Sequence, residues 1–208
     1  MSIERKEGLG VRLGLIRHGR TDWNALGKIQ GQTDIALNAE GIRQAHALAA
    51  RLSNEEMRWD GIVTSDLSRA RETGRIIAQK LGIPLLPPDS RLRERYYGAI
   101  EGTTDAERME KWGPDWRKSD SGQETDEAVR SRALSFVEEA ASSPTNPNIL
   151  AVTHGSLLAQ LMQAMCSNLE DKPIVNMSFS VMERVDQDWK PLLHNCALHL
   201  EQPHAGRH

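Results

Sequence analysis

The run Leu13-Gly14-Leu15-Ile16 ends abruptly in Arg17-His18-Gly19-Arg20-Thr21-Asp22-Trp23-Asn24, so an apolar segment gives way within one residue to cations, a hydroxyl and an amide. Residues 11–16 are too short for an ordinary helix, and Gly19 lies just past their end, where a chain turns tightly or lets a ligand approach its backbone. They read as a buried strand. Open α/β folds bind ligands off the carboxyl ends of their strands, which is where Arg17 and His18 fall. Arginine offers a rigid fork of donors matched to phosphate or carboxylate, and an adjacent histidine can act as nucleophile, base or acid. Taken alone, Arg17-His18-Gly19 is more readily an idle surface group, so the weight rests on the remainder of the chain.

Residues 23–37 lack periodicity and contain Gly27 and Gly31, which predicts a loop arching over the strand end. Asn38 is placed to cap a helix reaching about Leu52, with Ile42, Ala45, Ala49 and Leu52 at helical spacing and Gly41 awkwardly near its start. Residues 60–64 form a second strand, after which Ser65 or Asp66 caps a helix to Leu81, stopped by Gly82. Arg69 then sits in a first helical turn, where free N–H groups and the helix dipole favour an anion. A short third strand is expected at 83–86, before Pro87-Pro88, and a short helix at 103–112, before Gly113-Pro114. The polar stretch 115–124 reads as a loop or lid. Thr125 caps a helix whose stripe Val129, Ala133, Phe136, Val137 and Ala140 is core packing, ending at Ser142-Ser143-Pro144. Residues 148–152 form a strongly apolar strand and 156–166 a largely buried helix with methionine as core filler. A terminal hairpin follows, with strands at 179–185 and 192–200 around Asp186-Gln187-Asp188, and 202–208 frayed. Strands alternating with helices, then a hairpin, indicate an α/β, three-layer αβα fold with a mixed, mostly parallel central sheet. One domain spans 1–208, with a core at about 11–200 and neither repeat nor linker.

A net charge of -3 gives no general attraction to nucleic acid or membrane, so any anion site must come from local clustering of arginines. Cys166 and Cys196 are far apart and flanked by apolar residues, as buried free thiols are. Residues 1–10 are charged, without an apolar signal core, and no run is long enough to span a bilayer, so the expectation is a cytoplasmic location.

Clustering of basic and acidic groups is what the rest of the chain offers. A second arginine stands in Ser65-Asp66-Leu67-Ser68-Arg69-Ala70-Arg71-Glu72-Thr73, and a second histidine in Val152-Thr153-His154-Gly155-Ser156, again just after an apolar run. Between them, Leu92-Arg93-Glu94-Arg95-Tyr96-Tyr97-Gly98 supplies a carboxylate, followed by Glu101-Gly102. Together with Gly31-Gln32-Thr33-Asp34, Leu37, Gly41 and Gln44-Ala45, these segments resemble the histidine phosphatase superfamily, the phosphoglycerate-mutase-like proteins, from about Leu13 to His199 and in its phosphatase-type branch.

The resemblance implies a phosphomonoester hydrolase acting on small phosphorylated metabolites, with His18 attacking the phosphoryl group to become a phosphohistidine. A neutral imidazole can do this near pH 7 if its other nitrogen is held as a donor, for which a nearby backbone carbonyl is expected. Arg17, Arg69 and His154, helped by Asn24, would contact the phosphoryl oxygens and neutralise their charge. Glu94 holds the acid position, giving the leaving alcohol its proton and then activating water. Alone, Glu94 is more readily a solvated surface charge and His154 a satisfied core histidine; their motifs raise them. His46, His194, His199, His204 and His208 lack such context, and His199 is read as structural. Neighbouring arginines should lower the pKa of His18.

Metal binding is the chemical rival, but no His-x-x-x-His or Cys-x-x-Cys spacing occurs and the arginines would repel a cation, so neither metal nor cofactor is expected. A non-catalytic module binding phosphorylated ligands would need neither His18 nor Glu94. A homodimer stays open. Gly122-Gln123-Glu124-Thr125, with Val129 and Arg132 after it, resembles the Gly-Gly-Glu-Ser segment of the phosphatases, with Gln123 in place of the second glycine, whereas Glu94-Arg95-Tyr96-Tyr97-Gly98 is similar to the mutases. The alternative is therefore a cofactor-dependent phosphoglycerate mutase. Against it, residues 98–124 are short and mixed in charge, with Arg108, Lys111, Arg117 and Lys118 as their cations, a poor lid against water. Among hydrolases, a broad phosphomonoesterase, a sugar-phosphate phosphatase and a ribazole-phosphate phosphatase all stay open.

Overall fold

Strand β1 (Arg12–Arg17) is the centre of the structure because its apolar residues are covered on both sides, as a strand in the interior of an α/β sheet must be. The computed structural model describes residues 10–116, 121–143, 148–169 and 172–201. The charged opening, Arg117, Lys118, Pro144 and the terminal stretch from 202 lie outside the described residues. On one side β1 pairs in parallel with β3 (Asn148–Thr153), on the other antiparallel with β4 (Phe179–Val185). β2 (Gly61–Thr64) adds in parallel to β3, and β5 (Asp188–Cys196) adds antiparallel to β4, giving the order β2-β3-β1-β4-β5. The sheet is thus mixed, with a parallel core and an antiparallel hairpin at one edge.

Leu13 and Leu15 pack with the buried stripe Val129, Ala133, Phe136 and Val137 of α5 (Asp126–Ser142) and with Leu157 and Leu161 of α6 (Gly155–Met165). Ile16 and Ile62 pack on the opposite face with Leu48 and Leu52 of α2 (Ala39–Asn54) and Ile76 and Ile77 of α3 (Ser68–Leu81). These are the three layers expected from the sequence. A short α1 (Asp22–Ala25) and α4 (Asp105–Trp112) complete the α-helices among the described residues.

Several local expectations are corrected. The stretch 23–37 is not all loop: Thr21 and Asn24 form a reciprocal capping box that sets α1, a local pairing with no periodicity to reveal it. Asn38 does cap α2, accepting from the Gly41 N–H at 2.9 Å, but Ile42 is exposed and the inner face is Gly41, Gln44, Ala45, Leu48, Ala49 and Leu52. α3 is capped neither by Ser65 nor by Asp66. Its N-cap residue, Leu67, offers no side-chain bond; Asp34 reaches across from the preceding loop, accepting from Ser68 N at 2.8 Å, while Asp66 is paired with Arg93 at 2.6 Å. Residues 83–86 form no strand but a single bridge between Leu85 and Ile62, since Pro84, Pro87 and Pro88 remove the donors a ladder needs. The hairpin turns at Asp186-Gln187, with Asp186 at φ 58°, so β5 starts earlier than residue 192 and gives way at Leu198–Leu200 to a 3-10 turn. Cys166 and Cys196 are free and half-buried.

Gly41, unfavourable for helix propensity, is required by packing. A Cβ there would lie 2.1 Å from the Arg20 carbonyl oxygen, and one on Gly19 would lie 2.5 Å from the Gly41 carbonyl oxygen. The turn after β1 therefore rests backbone on backbone against the first turn of α2, which seats His18. Gly41→Ala should gain about 1 kcal/mol of helix propensity and lose about 1–3 kcal/mol to overpacking, because the atoms it would meet, the Arg20 carbonyl oxygen, nitrogen and carbon, are all backbone. Denaturant titration should show a lowered midpoint; an unchanged or raised midpoint would show that Gly41 does not rest against the Arg20 backbone.

Candidate active site

The register of the parallel strands assembles the site. Arg17 pairs with Thr153, so the next residues, His18 and His154, leave the sheet side by side, with the His18 N–H donating to the Thr153 carbonyl at 2.9 Å. Their rings lie 5.1 Å apart, centroid to centroid, and both side chains are buried. His18 Nδ1 is 2.7 Å from the Gly19 carbonyl oxygen, which can only accept, so we assign the proton to Nδ1 and the lone pair to Nε2. This is the carbonyl that the sequence reading required. His154 has the opposite tautomer: Arg69 Nε donates to its Nδ1 at 3.2 Å, leaving the proton on Nε2, which is buried and has no partner. Burial, then Arg69, then Arg17 push the pKa of His18 well below 6.5, against the opposing pull of the Gly19 carbonyl; the sequence reading named the arginines and missed the larger cause. His154 is lowered in the same way, by burial, then Arg69, then His18.

Arg69 has no exposed surface and stands in the first turn of α3, as expected. Besides His154 it donates through Nη1 to the Thr33 carbonyl at 2.9 Å and through Nη2 to the Gly31 carbonyl at 2.7 Å. Burial lowers its pKa to about 10, so the guanidinium stays charged at neutral pH. Arg17 is tethered through Nη1 to the Ile174 carbonyl at 2.5 Å, and its buried Nε has no partner. The amide oxygen of Asn24 faces the Thr21 N–H at 3.2 Å and Asn176 Nδ2 at 3.2 Å. Glu94 is held at the amino end of α6: Oε1 accepts from Leu157 N at 3.0 Å and Arg95 N at 2.8 Å, and Oε2 from Ser156 N at 3.1 Å.

Arg17, His18, Asn24, Arg69 and Glu94 line one open cavity of about 560 Å³, and His154 lies against it through its contacts with His18 and Arg69. The structure therefore brings every expected site residue together. It adds Lys28, Gln30, Tyr97, Ser156 and Lys172 to the lining. Tyr97 and Ser156 stand in quoted motifs and Gln30 adjoins one, so these could have been suspected; Lys28 and Lys172 carry no local signal. Tyr97, bonded to Ser156, has its hydroxyl pKa raised by burial and by Glu94. No residue of 103–116 or 121–124 lines the cavity. His199 is elsewhere, beside Arg51 at 3.5 Å, its pKa lowered to about 4 by burial and then by that arginine. His204 and His208 lie outside the described residues. Among the described residues, no cluster of three His, Cys, Asp or Glu is placed to hold a metal ion, and no helix is long and apolar enough to cross a membrane.

The family model of the histidine phosphatase superfamily, branch 1, matches residues 13–197. The chain is 34% identical over 189 residues to the uncharacterized phosphatase PhoE of Bacillus subtilis, covering 89% of this chain and 95% of that protein. It is 32% identical over 184 residues to a metal-independent phosphoserine phosphatase of Arabidopsis thaliana, covering 84% and 77%. The solved structure of Bacillus stearothermophilus YhfR superposes with a TM-score of 0.80 at 30% identity, over 91% of this chain and 99% of that one.

Two buried neutral histidines make stability pH-dependent. An unfolded imidazole titrates near 6.5, whereas His18 and His154 are held well below it, so between those values the unfolded chain binds more protons. Stability should therefore be full above about pH 7 and fall as pH drops through 6.5, by up to about 1.4 kcal/mol per pH unit for each histidine. Melting temperatures measured between about pH 7.5 and 5 should decline, and His154→Gln should make the decline shallower; an unaltered slope in that variant would contradict the assignment.

Proposed function

The chain belongs to the histidine phosphatase superfamily, branch 1, and from that premise we propose that His18 is its nucleophile, Glu94 its proton donor and Arg17, Arg69, Asn24 and His154 the holders of the transferring phosphoryl group. The protein is a phosphatase that acts on phosphorylated substrates through a phosphohistidine intermediate. The observation that carries the residue assignment is the pair of opposite tautomers. His18, with Nδ1–H on the Gly19 carbonyl, has Nε2 open for bond formation, while His154 offers an Nε2–H without a partner to a phosphoryl oxygen.

In the first half-reaction Nε2 of His18 forms a bond to phosphorus as the ester oxygen leaves and takes the proton of the Glu94 carboxyl. Arg17, Arg69 and the Asn24 amide hold the oxygens in line with the nucleophile, the positioning and charge neutralisation that make up most of phosphoryl-transfer catalysis. In the second, ionised Glu94 takes a proton from water, which attacks the phosphohistidine, releases inorganic phosphate and regenerates neutral His18. The arginines that favour the phosphoryl group disfavour a bound cation, which supports catalysis without a metal. Our reading also takes 1–208 as one domain and a reducing cytoplasm as its location, a setting with which the free thiols of Cys166 and Cys196 agree.

Substrate-treated enzyme should carry acid-labile phosphate on His18, and His18→Ala should abolish label and turnover together; full activity in that variant would remove the mechanism. Glu94→Gln should slow turnover by roughly two to four orders of magnitude, the usual worth of a positioned acid. EDTA should leave the rate unchanged, and loss of activity restored by zinc or magnesium would favour the metal reading. Phosphate release from simple esters should exceed interconversion of 2- and 3-phosphoglycerate assayed with bisphosphoglycerate present; the reverse would favour the mutase.

A further inference from the structure

The segment that presents Glu94 is held mainly from outside, its own bond being that of the Arg95 N–H to Glu94 Oε1 at 2.8 Å. Residues 93–97 have no regular structure, and the carbonyls of Arg91, Arg93 and Glu94 are bound by side chains, with Gln32 Nε2 donating to the Glu94 carbonyl at 3.1 Å. Arg132 of α5 supplies most of these bonds: Nη1 donates to the Arg91 carbonyl at 2.7 Å and the Arg93 carbonyl at 2.6 Å, and Nη2 to the Glu94 carbonyl at 3.2 Å. Its charge is matched by Glu124, whose carboxylate receives Nε at 2.7 Å and Nη2 at 2.9 Å. Glu124 in turn grips the far side of Glu94, with its N–H donating to the Tyr96 carbonyl at 2.8 Å and its Oε2 accepting from the Tyr96 N–H at 3.3 Å. The pair thus fastens the backbone before, at and after Glu94, and Arg132 does not itself line the cavity.

We propose that Arg132, neutralised by Glu124, is a positioning residue that sets the distance between the Glu94 carboxyl and the leaving oxygen of the substrate. The proposal rests on the reading of Glu94 as proton donor. α5 is a rigid mount, its stripe Val129, Ala133 and Val137 fully buried, so a planar guanidinium projecting from it can fix several carbonyls at once. Proton transfer needs hydrogen-bond reach, and a displacement of about 1 Å can cost about a hundredfold in rate. The bonds from Arg95, Ser156 and Leu157 to the carboxylate hold only its tip; the carbonyls held by Arg132, with Gln32 sharing that of Glu94, fix its base.

The test separates positioning from folding by varying the leaving group. The value of kcat/KM reports phosphorylation of the free enzyme; an alkyl phosphate needs a proton on its leaving oxygen, whereas 2,4-dinitrophenyl phosphate does not. Arg132→Met should lower kcat/KM for glycerol phosphate by about 10- to 100-fold, and for the dinitrophenyl ester by less than about threefold. Arg132→Lys, with one ammonium for several acceptors, should recover part of the loss, and Glu124→Gln should fall in the same selective direction. If Arg132→Met does not fold, these two variants carry the comparison. In a Glu94→Gln background the Arg132 substitution should have no further leaving-group-selective effect. Equal losses on both esters, or a selective loss that persists in full without Glu94, would overturn the proposal. If Glu94→Gln itself shows no leaving-group selectivity, the proton-donor reading falls and the proposal with it; if Glu94→Gln shows it and the Arg132 variants do not, the proposal alone falls.

Discussion

A guanidinium with no exposed surface is the constraint around which the site is built. Burying an unpaired charge costs several kcal/mol, so Arg69 has to be surrounded by acceptors before the fold is tolerable. Two of these acceptors are the carbonyls of Gly31 and Thr33, on a loop with no regular structure, and that loop must itself be fixed. Glu101 fixes it, accepting from Gln32 N and Thr33 N at 3.0 Å each, from the Thr33 hydroxyl at 2.6 Å and from Tyr97 N at 2.9 Å. Gly31 has φ 54°, where most side chains are strained, and a Cβ there would lie 1.9 Å from Glu101 Oε1, so a larger residue would displace the carboxylate that pins the loop. The third acceptor, His154 Nδ1, transmits the arrangement into the cavity by selecting the tautomer of that ring.

Burial and positive charge then act together on the histidines. In water an imidazole near pH 7 is a mixture of forms; here low exposure and the adjacent arginines keep His18 and His154 neutral. Hydrogen bonds fix which nitrogen of each carries the proton. The same residue types could give an inert pair of core histidines if Gly19 and Arg69 did not supply an acceptor on one ring and a donor on the other.

Most of this fold was legible because β1 and β3 are short continuous apolar runs and the helical stripes are periodic, and much of the site was legible because Arg17, His18, Arg69 and His154 sit at the ends of those elements. What the sequence hid was interaction between segments distant in the chain. The cap of α3 comes from Asp34 and not from the adjacent Ser65 or Asp66, and the tether of Arg69 comes from carbonyls, which have no residue identity to read. Ile42 fits the spacing of an inner face yet is exposed, because close approach of Gly19 and Gly41 sets how α2 lies on the sheet. Glu101 was visible as part of a motif, but its work on the 31–33 loop depends on a fold that brings residues nearly 70 positions apart together.

The means of holding charge bears on the fate of the phosphohistidine. The groups around the cavity come from strand ends, helix starts and pinned loops, already in place without closure of the 103–116 segment, which contributes nothing to the lining. Preorganised donors of this kind stabilise a transferring phosphoryl group without excluding solvent. A cavity of about 560 Å³ is much larger than a phosphoryl group, and a water occupies only about 30 Å³ of liquid volume, so the space admits both. Retaining a dephosphorylated product for return of the phosphoryl group demands a covered pocket. Among the described residues no part of 103–116 or 121–124 covers the pocket, whose rigidity resides in Arg69, Glu101 and the β-strand ends, and the space it has for water suits the acceptor that a phosphatase uses.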